Sequence, residues 1–262
     1  RGTGGDAGNK MVSWNWKAGT TSIPSGSTTN PSAVSINTTA GFGIYKITAP
    51  SSGNYVLKHG LGATPKMVIV KRTNGQQKWM VWHHTFSNAT DDYLQLNDNV
   101  AKATYSTCWG TMNSTDCTIA TGGTLDTGGE HVIYVFTEKT GYSKFSSYVG
   151  TGSTSSTPFI YTGFKPQFVL TKGLSNADQW SLTDIPRDND VGSGGNGTGA
   201  RLTADSSSTE SSNATWASIQ KYSNGFSPQG NDGVTNGSGI TYIYMAFGQS
   251  LVGTNNTPCT AR

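Results

Sequence analysis

The chain has 262 residues, 13% of them charged, with 34 glycines and a formal net charge of +3. Basic residues this sparse and scattered argue against a nucleic-acid partner, which needs a concentrated basic face. No apolar run approaches the roughly 18 residues of a membrane span, and regularly placed aromatics exclude a disordered chain.

In chain order, Met11 to Trp16 reads as a strand in which Trp14 and Trp16 face the same side and need apolar cover. Residues 20 to 40 are rich in Ser, Thr and Pro and read as a linker or long loop. Phe42 to Thr48 alternates as a strand, and Met67 to Val70 is apolar on both faces, as a central sandwich strand would be. In the next strand, Trp79, Val81 and His83 face one way and Met80, Trp82 and His84 the other. The first set is expected to be the core face. The second is expected to form an extra apolar strip meeting another subunit or domain. Gly128 to Phe136 and Tyr142 to Tyr148 complete the strands around the middle of the chain.

The chain then repeats itself. Gly60 to Lys71 returns as Gly163 to Lys172, Trp79 to His83 as Trp180 to Asp184, and Gly128 to Phe136 as Asn236 to Phe247. A period near a hundred residues is the size of a domain, not of a solenoid turn. The reading is all-β: two tandem β-sandwich domains, jelly-roll or lectin-like, over 41–140 and 141–262. Residues 1–40 supply the closing strand of an upstream repeat plus the linker, so the chain is expected to be the C-terminal part of a longer array. Trp14 and Trp16 are expected to complete a sheet in the first repeat or in a neighbouring subunit, the alternative being that their strand belongs to an upstream domain.

Candidate chemistry is thin. His83 and His84 lie near Asp91 and Asp92, yet the second copy carries Asp184 and Ile185 where the histidines stand, so the pairing is not a repeated device. Asp188 and Asp190 are weak calcium candidates, lacking the Gly and terminal Glu of the full loop signature. Trp109 and Trp216 sit in polar surroundings; buried loop plugs are the commoner explanation for such residues, and stacking on a glycan is the alternative. Cys108 and Cys117 flank a loop they could close, Cys259 stands apart, and no CxxC spacing signals zinc. No nucleophile elbow and no recommended carboxylate pair appears, so no catalytic residue, cofactor or metal site is assigned.

Several segments together closely resemble a tandem repeat in structural proteins of marine tailed bacteriophages, of the tail-fibre or virion-appendage type. They are Trp14-Asn15-Trp16-Lys17-Ala18-Gly19, His59-Gly60-Leu61-Gly62 with Pro65 to Lys71, Gly141 to Phe145, Tyr161 to Pro166, Trp180 with Asp184 and Arg187-Asp188, and Thr241 to Phe247. The resemblance covers nearly the whole chain. It implies a virion or extracellular location, host-surface adhesion, other virion proteins as neighbours, self-association as a trimer, and host glycans as ligands. A glycan-binding module, a bacterial surface adhesin or filament subunit, and an enzyme degrading surface polysaccharide are the alternatives. Nothing in the residues recommends catalysis.

Overall fold

The structure, a computed structural model, describes residues 13, 15–17, 19–184, 200–211 and 218–248. The first half contains β1 (Ala33–Asn37), β2 (Phe42–Thr48), β3 (Asn54–Lys58), β4 (Met67–Arg72), β5 (Met80–His83), β6 (Asp92–Gln95), β7 (Ala103–Thr104), β8 (Trp109–Met112), β9 (Asp116–Ala120) and β10 (Glu130–Phe136). The second contains β11 (Ser143–Val149), β12 (Ile160–Tyr161), β13 (Pro166–Gly173), β14 (Ser181–Asp184), β15 (Ile219–Tyr222), β16 (Gly225–Pro228) and β17 (Thr241–Gly248). The fold is all-β, as expected, and consistent with β-sandwich domains.

Each half pairs a larger sheet with a smaller one. In the first, β1-β2-β10-β4-β5-β6-β7 forms a seven-stranded sheet and β3-β9-β8 a three-stranded one. In the second, β11-β17-β13-β14 is four-stranded and β12-β16-β15 three-stranded. The order β2-β10-β4-β5 is therefore the order β11-β17-β13-β14 again. Registers match too: Phe136 pairs with Met67 and Met67 with His83, just as Phe247 pairs with Phe168 and Phe168 with Asp184.

The two faces of each larger sheet do different jobs, because side chains alternate along a strand. On β17, Tyr242, Tyr244 and Ala246 pack with Ile160, Phe164, Ile219 and Phe226 of the second half's own small sheet. Ile243, Met245 and Phe247 point the other way, into a cluster shared with the first half. Phe136 meets Phe247 at 6.1 Å and Phe145 at 6.0 Å, ring centre to ring centre. The larger sheets thus meet face to face, with the small sheets outermost. Polar bonds cross the same seam: the Trp180 indole donates to the Gln95 carbonyl at 2.8 Å, and the Lys102 amide to the Leu174 carbonyl at 2.8 Å.

Three expectations change. Residues 33–37 are not linker but the edge strand β1, whose Val34 and Ile36 are buried. The face assignment on β5 is reversed. Register puts Met80 and Trp82 on the side of Tyr45, toward the first half's own small sheet, where Met80 is 8% and Trp82 4% exposed. Val81 and His83 face the seam. Met80 and Trp82 therefore offer nothing to a partner chain. The third change concerns Trp16. Residues 15–17 form no ladder; the chain joins the β1 edge at the Thr20–Ile36 bridge and through the Asn37 side-chain amide to the Lys17 carbonyl and the Gly19 amide to the Ser35 hydroxyl. The Trp16 indole is instead a plug, in ring contact with Phe42, Phe136, Phe168 and Phe247 at 5.6 to 6.0 Å. Trp14 lies outside the described residues.

Candidate functional site

A concavity among the described residues follows from this stacking. Two twisted sheets meeting face to face leave a cleft of about 500 Å³ at the seam, lined mainly by Trp16, Ile44, Trp79, Tyr134, Leu170 and Met245. Trp79 stacks on Tyr134 at 6.3 Å and 20°. The lining is aromatic and aliphatic, with few polar groups to orient a reaction. Such a cleft can hold an apolar ring; its lining carries no carboxylate, histidine, lysine or cysteine.

The four histidines of the chain are structural by geometry. The Leu61 amide donates to His59 Nδ1, which leaves Nε2–H to donate to the Asn113 carbonyl. The Asp126 amide donates to His131 Nε2, so Nδ1–H donates to the Gly129 carbonyl. His83 sits fully buried with Nδ1 on the Thr85 hydroxyl at 2.8 Å, and burial pulls its pKa down to about 3. His84 reaches across the seam to the Phe145 carbonyl at 3.0 Å. Burial also lowers the pKa of His59, His84 and His131. Each is a neutral imidazole fastening a turn or the seam.

The acidic neighbours are committed elsewhere. Buried Asp92 takes hydrogen bonds from Ser87, the Asn88 amide, Lys102 and Thr104, while its carbonyl accepts the Trp109 indole at 3.0 Å. Asp91 takes the Thr107 amide and Asn88 side chain. These are the bonds of a loop that holds Trp109 in place. Trp109 itself is 0% exposed: it is the buried plug of the two readings and offers no sugar-stacking face. Polar neighbours surround a strand whose one inward residue is the indole. Cys108 and Cys117 are free, buried thiols, and burial raises both pKa values. Trp216, Asp188, Asp190 and Cys259 lie outside the described residues.

Lys172 is a charged group whose role carries no signal in the sequence. Its side chain is fully buried, donates to the Gly173 and Asn176 carbonyls at 3.0 Å, and has its pKa lowered to about 8 by burial. Both bonds close the turn after β13, so this cation too is structural. Among the described residues no three His, Cys, Asp or Glu side chains converge on a common point.

No curated protein and no solved structure matches the chain. One family model does, described as a domain of unknown function (DUF7483), over residues 3–250. That span takes in both sandwiches and the seam between them, and the chain belongs to the DUF7483 family.

Proposed function

We propose that this chain is a structural, non-catalytic module of a virion appendage, of the tail-fibre type, that contacts host surfaces. The observation that carries the reading is the seam. Two sandwiches of one topology share a buried aromatic interface plugged by Trp16, which makes a stiff unit without an enzyme's cleft of convergent polar groups. Histidines, Asp92 and Lys172 are spent on turns and on the seam. The resemblance to marine phage appendage repeats supplies the location. Trimeric assembly and contact with other virion proteins remain part of the proposal, although the Met80/Trp82 strip no longer supports them.

The test is particle association. Peptides of this chain should appear, at a stoichiometry of several copies, in gradient-purified phage particles, and antibody against it should decorate appendages in negative stain. Recovery only from the soluble fraction of infected cells, or only from the host surface, overturns the virion assignment; the latter would favour the bacterial adhesin.

A further inference from the structure

The two small sheets differ at one equivalent corner. Buried Leu57 pairs with Cys117 in the first half, and buried Ile160 pairs with Phe226 in the second. One step further along, the outward-facing pairs are Lys58 with Asp116 and Tyr161 with Gly225. Beyond them stand Asn113 and Tyr222, since the Asn113 amide bonds the Asp116 carbonyl as Tyr222 pairs with Gly225. The first half thus closes its corner with an ion pair between Lys58 and Asp116 and an Asn113 cap. Its edge is covered as well, because Ser27 and Thr28 bond to the backbone of Lys58 and Val56.

The second half leaves the same corner open and aromatic. Tyr161 is 64%, Phe159 53% and Tyr222 37% exposed, while the other aromatics among the described residues, Tyr105 apart, are largely covered. The Phe159 ring meets Tyr222 edge-on at 5.6 Å. Gly225 lies beneath them: a Cβ there would stand 2.8 Å from the Phe159 ring and 2.2 Å from the Ile160 carbonyl. Only glycine lets the Phe159 ring settle onto the sheet. The rim is polar, with Gln220 accepting the Tyr222 hydroxyl at 2.8 Å and exposed Ser223 and Asn224 alongside. Among the described residues no backbone group bonds the free side of β12.

We propose that Phe159, Tyr161 and Tyr222 form a stacking platform for an extended β-1,4-linked glycan. Exposed aromatic faces with polar neighbours suit pyranose rings, whose C–H faces are apolar and whose edges carry hydroxyls. Tyr161 and Tyr222 stand two strands apart, about 9.5 Å at the backbone, close to the length of one disaccharide unit in an extended β-1,4 chain. The area decides against a second copy of this protein. Three half-exposed rings offer about 300 Å², well short of the roughly 800 Å² per partner in a stable interface. The inference deepens the surface-contact part of the proposed function and rests on it only for where the glycan is met.

The experiment is saturation-transfer NMR and calorimetric titration of the full chain with cellohexaose and chitohexaose. Binding with a dissociation constant on the order of 1 mM is expected. Tyr161→Ala and Tyr222→Ala should each weaken it about tenfold. Tyr161→Phe should stay near the parent, because the ring face and not the hydroxyl does the stacking. Tyr105→Ala, at an exposed tyrosine elsewhere, should change nothing, and all variants should melt with the parent. Absence of binding to both sugars overturns the proposal, as does binding that survives loss of both tyrosines. Concentration-dependent dimers in sedimentation that vanish in Tyr161→Ala would overturn it in favour of a self-interface. Because isolated chain and soluble sugar are used, failure here leaves particle association standing, and the reverse.

Discussion

The two halves of this molecule share their inner layers and differ in their outer ones. The seam-facing positions carry aromatics and aliphatics in both: Phe136 and Phe247, Ile69 and Leu170, Val81 and Leu182. The outer corner carries Lys58, Asp116 and Asn113 in one copy and Tyr161, Gly225 and Tyr222 in the other. A duplicated sandwich keeps what its packing requires and is free to change what packing does not. The lesson is that ligand contact should be sought where the copies diverge, and stability where they agree.

The sharpest way to test that agreement is the tryptophan pair. Trp79 and Trp180 occupy the same register position, one residue before β5 and β14, yet Trp180 is 1% exposed and Trp79 only half-buried. Trp180→Ala should cost about 4 kcal/mol, the range for a buried aromatic, and Trp79→Ala markedly less. Chemical denaturation of both variants reads the difference; equal losses would mean that the seam treats the copies alike.

Acid should act on histidine through the first copy alone, since all four histidines lie there. His83 has its pKa lowered to about 3 by burial. The folded state therefore favours the neutral ring, the stabilisation is complete above about pH 6.5, and it is lost as the pH falls toward the folded value. From about pH 6.5 to about pH 4.5 the loss is about 2 kcal/mol. Melting against pH should show it, and His83→Leu should flatten that limb. An unchanged profile would contradict the burial.

Trp16→Ala removes the plug from four phenylalanines and should cost about 3 kcal/mol, the low end for aromatic truncation because the indole is partly exposed. A melt like the parent's would make the residue a passenger. The smallest effect concerns Cys108 and Cys117: alkylation mapped by peptide should find both protected in the native chain and modified after unfolding. A crosslink between them would contradict the free thiols.

The strands and the repeat are legible in the sequence because apolar runs bounded by Gly and Pro survive in both copies. The facing of β5 is not. A strand buried on both sides has no alternation to report, and Trp79 and Trp82 look alike until pairing with β4 fixes their directions. β1 carries a signal in the alternation of Val34 and Ile36, hidden by its Ser- and Thr-rich setting. For Trp109 the plug reading holds, but what covers it, β9 and the Asp92 loop, is set by pairing that its polar neighbours do not reveal. The aromatic corner is invisible for a similar reason. Phe159 and Tyr161 look like core residues beside Ile160, and only the register against Gly225 turns them outward.

Two copies of one sandwich fused through the seam should behave as a single cooperative body. Scanning calorimetry of the intact chain tests it most directly. One transition is predicted, with calorimetric and van't Hoff enthalpies equal. Two resolved transitions, each with the enthalpy of a single half, would contradict it.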